Sequence, residues 1–481
     1  DGLNQKFRVV KDQNGRKGVE VSEGLSSKDL SERILSEVNV NDICEQIYNG
    51  THVKDPGEMS FVEKINYFSE HYVDDRRMSS SISGACGLCE FKTKPEDEKQ
   101  GLRSGFRECW SDQLGWKDED FETPTILDVW DLRIKDRLLS EKRASISDLT
   151  EEDLKLKDDG KPGLSRTERQ LMQIEKARDQ DDSFWIDKDS LKREMNSWTF
   201  PLHFIDFETS QTAIPFNNGH RPYEPVAFQF SHHLVTESGE VWHAGEFLST
   251  DSGVFPNFSF LRELKAQLEN DNGTIFRYAA HENTYLSHIY KQLNGGYEDC
   301  DDRDELIEFL QFISKSSGSS ADKWEGPRNM VDMLYLVKRF YYDPLTNGSN
   351  SIKKVLPAIM KSSTYVQEKY SKPIYGADGG IPRLNFKDKS GVEFEGDKVV
   401  DPYQLLGRMF GDISKHDFEI LSEENELKEG GAAMAAYAKL QFEDMLDYER
   451  CELRKGLLKY CELDTLAMVM IYEGWREILN M

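Results

Sequence analysis

No stretch of this sequence approaches the roughly 18 consecutive apolar residues of a bilayer-crossing helix, so a membrane-spanning role is not expected. The opening run DGLNQKFRVVKDQNG lacks the basic start, apolar centre and small-residue cleavage site of a secretory signal. A cytoplasmic protein is the expectation. The chain opens on Asp1 without a Met, as expected of a piece of something longer. Cysteines are sparse and odd in number: Cys44, Cys86, Cys89, Cys109, Cys300, Cys451 and Cys461, at uneven spacing, do not form a secreted disulfide framework. Positive charge is short as well. Lys and Arg total 61 against 88 Asp and Glu, a net charge of −27. That balance opposes phosphate contact unless basic residues cluster locally or bound divalent ions reverse the field. Internal repeats and long low-complexity tracts are absent too.

What is present suffices for real cores. With 481 residues, 38% hydrophobic and 11% aromatic, two or three domains are expected. Residues 1–80 read as the tail of an α/β or helical unit, with Leu30, Ile34, Val38 and Ile43 at helical spacing. Residues 81–120 are loop-rich and hold three cysteines. From 121 to 199 a charged, mostly helical connector is expected, with Ser165 and Glu168 spaced as a capping box. From about 200 the texture changes. PLHFIDFETS reads as a buried strand, and two strand-like runs flank the Ser238–Gly239 turn as a hairpin. Alternating helical and strand patterns follow, ending in a long helical run. The expected fold class is α/β, a mixed sheet flanked by helices, preceded by a mostly helical Cys-rich segment.

Asp206 and Glu208 are alternate residues of the first strand and so share a face, with Ile205 and Phe207 on the other. Two like charges at the end of an apolar strand are costly unless cations neutralise them, and hard carboxylate oxygens suit Mg²⁺ or Mn²⁺. Taken alone, an Asp-x-Glu triplet is more often a solvated turn or edge strand. Tyr460 and Asp464 stand four apart on a late helix, hence on one face. An isolated pair of this kind is more often a core Tyr beside a solvated Asp. Glu282 falls where a strand gives way to a helix, at the sheet edge where α/β sites gather. The plainer reading is an acid favouring a helix N-terminus.

The order of these acids is more specific than any one of them. It resembles the DnaQ-like (RNase H-like) exonucleases of the tyrosine subtype, including the proofreading domains of family-B DNA polymerases. Asp206 and Glu208 correspond to the first motif, and Tyr460 and Asp464 to the third. The second motif usually supplies Asp, and here its place falls on Glu282, one methylene longer. Asp332 matches an acidic position that usually supports the fold and is a reserve ligand. The resemblance runs from about residue 200 to the end. It implies an RNase H-like sheet, two Mg²⁺ or Mn²⁺ ions at Asp206, Glu208, Glu282 and Asp464, and a Tyr460 hydroxyl that positions the attacking water. Lys353 and Lys354 are candidates for phosphate contact, although solvated helix surface is the commoner role for such a pair.

Cys86-x-x-Cys89 followed by Cys109 has short-range metal-ligand spacing, suited to zinc or an iron–sulfur cluster. Cys44, His52, His71 or an upstream residue is the candidate fourth ligand. This segment resembles the C-terminal iron–sulfur portion of RecB-like nucleases, which include CRISPR-associated cluster-containing exonucleases. Residues 1–80 contain no complete RecB-like core of acids and Lys. The whole pattern looks like a bacterial family of uncharacterised proteins in which a RecB-like half precedes a DnaQ-like half. The resulting division is 1–120, a RecB-like remnant with a Cys cluster; 121–199, the connector; and 200–481, the exonuclease domain. The activity implied is 3′–5′ hydrolysis of single-stranded nucleic acid, with DNA favoured and RNA open. The alternatives are a catalytically silent nucleic-acid-binding or assembly module, and a nucleotide or oligonucleotide phosphodiesterase.

Overall fold

The computed structural model describes residues 7–11, 17–21, 38–53, 58–78, 80–217, 219–296, 300–318, 320–396, 398–400, 402, 430–443 and 445–481. The chain forms two compact units, residues 1–22 with 151–481, and residues 23–150. The division falls at 150, within the segment read above as a connector.

The 23–150 unit contains helices Asn41–Tyr48, Phe61–Val73 and Gly105–Leu114, with the short helical turns Gly84–Leu88 and Pro95–Lys99 between the second and third. Its buried residues include Ile126, Leu138, Ile146 and Leu149 besides an aromatic cluster in which Phe106 stacks on Trp110 at 4.8 Å, with Trp116 and Phe121 closing over them. Val38 and Ile43 of the expected amphipathic run are exposed. Leu30 and Ile34 lie outside the described residues.

The larger unit holds a hairpin of strands Phe7–Lys11 and Lys17–Val21. Its helix α1 (Arg166–Asp179) begins with the expected capping box, Ser165 and Glu168 exchanging bonds with each other's backbone N–H. The central sheet has five strands: β1 (Leu202–Ser210), β2 (Val226–Val235), β3 (Val241–Leu248), β4 (Ile275–Arg277) and β5 (Val331–Asp332). Their spatial order is β3-β2-β1-β4-β5. The first three form an antiparallel meander, and β4 and β5 add in parallel on the other side of β1. The turn between β2 and β3 places Gly239 at φ +86, a left-handed conformation that favours glycine at the expected hairpin. This mixed sheet flanked by helices agrees with the fold class expected from the sequence.

Helices cover both faces. Against one lies α2 (Asn257–Leu268), whose Phe260 meets Phe207 and Phe230 edge-on at 4.7 and 5.3 Å. After β4 comes α3 (His281–Gly295), and after β5 come α4 (Met333–Phe340) and α5 (Ile352–Ser362). The last helix, α6 (Asp447–Ile478), lies on the opposite face, where its Tyr472 approaches Phe204 at 5.8 Å. Every residue of α6 from Tyr460 to Trp475 is buried. Such a helix is covered on several sides rather than lying on a surface. Gly474 makes one of these contacts possible: a Cβ there would run into Ile359 of α5.

Candidate metal centre

Along β1 the side chains of Phe204, Asp206 and Glu208 face α6, as the two-residue period requires. The opposing residues of β2 share that face: His233 pairs with Phe204, Ser231 with Asp206 and Gln229 with Glu208. Each of the three binds α6. Gln229 donates to the Leu457 carbonyl at 2.8 Å, and Ser231 and His233 both reach the Thr465 hydroxyl, at 2.8 and 2.7 Å. These buried bonds set the register of α6 on the sheet. They bring Tyr460, Cys461 and Asp464 over the two β1 carboxylates.

The acids meet in a buried place. Asp206, Glu208 and Cys461 offer ligand atoms all within 4.8 Å of one another. The Cys461 thiol points at the Asp206 carbonyl and carboxylate, at 3.5 and 3.6 Å. Burial pushes the Asp206 carboxyl well up, and the charges of Asp464, Glu208 and Glu282 push it further. Glu208 is raised by burial and by Asp464, with Lys353 acting the other way. Glu282 is 1% exposed, and burial first of all raises it to about 8. Its Oε2 has no hydrogen-bond partner. Carboxylates packed this closely repel one another more than Lys353 and Arg277 offset, since their pKa values stay raised, and a hard divalent ion answers that repulsion and the unpaired oxygen together. The residues therefore fit Mg²⁺ or Mn²⁺.

Glu282 arrives from the far side of β1. A tight link after β4 leads into the first turn of α3, and its Ala279 sits at φ +88, strained for a residue with a Cβ. Asp332, the reserve ligand, holds that link. Its Oδ1 accepts from Ala279 N at 3.1 Å and from Tyr335 N at 3.3 Å, which also caps α4. Arg277 lies 3.5 Å from the same carboxylate. Asp332 thus positions the turn that delivers Glu282.

Two further groups belong to the place. Lys353, at the start of α5, has its ammonium 5.3 Å from the centre of the Tyr460 ring and close enough to Glu208 to favour its charged form. Lys354 is exposed. Burial raises the Tyr460 hydroxyl far above its ordinary range, and the acids beside it add to the effect, so the group stays protonated. Cys461 was not expected as part of the centre. Its signal was its position, beside Tyr460 and three residues before Asp464 on the same helix.

Cys86, Cys89 and Cys109 are half-buried and free in the 23–150 unit. Their sulfurs do not form a group lying within 4.8 Å of one another. A zinc ion with 2.3 Å bonds would hold sulfurs about 3.8 Å apart, so a zinc site is not preformed there. Of the candidate fourth ligands, Cys44 is exposed, while His52 and His71 turn a ring nitrogen to the Gln46 and Tyr67 carbonyls.

An open cavity of about 580 Å³ lies between the loop at 219–225 and the later turns of α3, with Arg221, Tyr223, His288 and Lys291 in its wall.

Residues 203–351 match the family model of a domain of unknown function (DUF2779). The matched segment contains Asp206, Glu208, Glu282 and Asp332 and ends before Lys353, Tyr460 and Asp464. No curated protein and no solved structure matches the chain. Among the described residues no helix is long and apolar enough to cross a membrane.

Proposed function

We propose that this centre hydrolyses phosphodiester bonds, removing nucleotides from the 3′ end of single-stranded nucleic acid, with DNA the favoured substrate. One observation carries the reading. Asp206 and Glu208 of β1 place ligand atoms within 4.8 Å of each other and of Cys461, and Asp464 of α6 and Glu282 of α3 lie near enough for their charges to raise the buried Asp206 carboxyl. The mixed sheet also fits the RNase H-like arrangement that the sequence resembles.

Asp206, Glu208, Glu282 and Asp464 would hold two divalent ions, which neutralise phosphate charge and lower the pKa of water. The chain's own groups do the rest. Tyr460, kept protonated, donates a hydrogen bond that orients the attacking water. Lys353 sets a positive charge beside Glu208 and Tyr460, suited to a non-bridging phosphate oxygen. Arg221 and Lys291 supply local basic character along the α3 cavity, in a chain whose net charge otherwise repels nucleic acid. For the 23–150 unit we propose an iron–sulfur cluster on Cys86, Cys89 and Cys109 with a fourth ligand. Iron analysis and visible absorption of anaerobically purified protein test it.

The deciding experiment is cleavage of 3′- and 5′-labelled single-stranded DNA and RNA with Mn²⁺, comparing wild type with Asp206→Asn and Asp464→Asn. The expected result is a ladder shortening from the 3′ end that both substitutions abolish while circular dichroism stays unchanged. Cleavage that survives the substitutions, or none on any substrate, overturns the reading. The net charge of −27 and the longer Glu282 favour a silent binding module as second reading. Its mark is metal-dependent binding without turnover. A series of substrate lengths separates an exonuclease from a phosphodiesterase acting on short oligonucleotides.

A further inference from the structure

A second cluster of metal-ligating side chains sits on the same face of the sheet, toward β3. His243 and Glu246 project from β3 and Glu462 from α6, with their ligand atoms within 4.8 Å of one another. His243 and Glu462 are buried, and Glu246 is half-buried at the edge. The His243 Nδ1 lies 3.3 Å from Glu462 Oε2, yet it makes no hydrogen bond of acceptable geometry. A buried ring nitrogen so placed is costly unless something else takes its lone pair. Bonds of 2.0–2.2 Å in a tetrahedral site set ligand atoms about 3.3–3.6 Å apart, so the 3.3 Å spacing is that of two ligands on one ion.

The surroundings are also built for ligation. The other ring nitrogen of His243, Nε2, is 3.0 Å from the Ser231 hydroxyl, which is itself bonded to Thr465. Metal-bound imidazoles are characteristically held this way, which fixes tautomer and ring orientation. Glu462 Oε1 accepts from the Tyr375 hydroxyl at 2.6 Å, and Tyr375 is steadied in turn by His233 at 2.8 Å. The Asn385 amide bridges Glu246 Oε2 and Glu462 Oε2, at 2.6 and 2.8 Å, and its backbone N–H adds a third bond to Glu462. Glu246 accepts a single bond at Oε2, and Glu462 keeps a lone pair on Oε1 beside its Tyr375 bond, so both carboxylates retain acceptor capacity.

We propose that His243, Glu246 and Glu462 form a second metal site, for a transition-metal dication of the zinc type, clamping β3 to α6. One imidazole with two carboxylates favours zinc over Mg²⁺ or Ca²⁺, which take oxygen alone. The clamp holds α6 two residues from both Tyr460 and Asp464, so the site supports the position of the carboxylate centre without belonging to it. The inference stands whether or not that centre hydrolyses anything.

The test is metal binding in full-length Asp206→Asn/Asp464→Asn protein that also carries Cys86→Ser and Cys89→Ser, so that both the first centre and the cysteine segment are crippled. Zn²⁺ affinity is measured by competition with a chromogenic chelator, and the site is read with Co²⁺ spectroscopy. The expected result is one tight equivalent whose visible Co²⁺ bands lack the near-ultraviolet charge transfer of thiolate ligands. That absence separates it from Cys461 and from the three clustered cysteines. Glu246→Gln, on the half-exposed ligand, should weaken Zn²⁺ by about 100-fold or more, and Tyr375→Phe by roughly 10–100-fold. His243→Gln serves as the second ligand variant. No tight equivalent in that background, a thiolate signature, or an affinity unmoved by both Glu246→Gln and His243→Gln overturns the proposal.

Discussion

Replacing Glu282 by Gln should stabilise the metal-free protein and weaken the metal-loaded one. The buried carboxyl has its pKa raised from 4.5 to about 8. For an acid shifted upward, the unfolded chain gives up its proton first. Between those two values the folded state holds more protons than the unfolded one, so stability falls as pH rises through that window. Each unit is worth about 1.4 kcal/mol, and at pH 7 roughly 2.5 units have been crossed, a destabilisation on the order of 3 kcal/mol. Gln is isosteric with the protonated acid and removes that cost. In EDTA, the variant should be more stable than wild type by on the order of 3–4 kcal/mol at pH 7–8, with the two nearly equal at and below about pH 4.5. Saturating Mn²⁺ works in the other direction. At 100 times its dissociation constant an ion adds about 2.7 kcal/mol to wild type, and less to a variant short of one ligand. The gap should therefore close or invert. Urea denaturation followed by Trp fluorescence at three pH values, with EDTA or Mn²⁺, reads all of this. A Gln variant less stable than wild type in EDTA at pH 8 would refute the reasoning, because Glu282 would then be a satisfied structural acid rather than a member of a repelling set.

Lys353→Met should lower the single-turnover cleavage rate by about 100-fold, as loss of one fixed positive group at a developing charge does, with Mn²⁺ affinity little altered. An unchanged rate would return Lys353 to the role of helix surface. Cys461 sets a soft thiol beside two hard carboxylates, so Cd²⁺ should inhibit wild type and Cys461→Ser should relieve that inhibition. Equal Cd²⁺ sensitivity in both proteins would place the thiol outside the ion's reach. Arg169 of α1 donates to the Val337 and Tyr341 carbonyls and to Asn350, and Arg169→Met removes these buried donors, leaving the Val337 carbonyl only its bond from Tyr341 N–H. A loss of about 3–5 kcal/mol is expected in urea denaturation, and a loss under about 1 kcal/mol would show that the neighbourhood repacks.

The sheet and the shared faces of Asp206 with Glu208 and of Tyr460 with Asp464 were legible in the sequence for a local reason. Strand periodicity puts Asp206 and Glu208 on one face, helical periodicity puts Tyr460 and Asp464 on one face, and neither depends on the rest of the chain. The same locality explains what could not be read. Lys353 looked like surface because α5 shows an ordinary amphipathic pattern. Its place beside Tyr460 comes from the packing of α5 on α6 at Gly474, a contact between residues more than a hundred positions apart. Asp332 was read as support for the fold, but its grip on Ala279 N was beyond periodicity, because it concerns one strained backbone group.

The His243, Glu246 and Glu462 cluster shows the limit most clearly. His243 and Glu246 are three apart on a strand, a spacing that would put them on opposite faces. The pairing of β2 with β3 shifts register between His232 and His233, so His243 stands opposite His233 while Glu246 stands opposite Ser231. Both partners face α6, and the irregularity turns His243 and Glu246 to the same side. Glu462 in turn lies two residues before Asp464, about 200° around the helix. One helix can serve two separate clusters only if it is enclosed on more than one side, and α6 is buried at every residue from Tyr460 to Trp475. A helix this deeply enclosed explains why acids so near in sequence end up in different chemical surroundings.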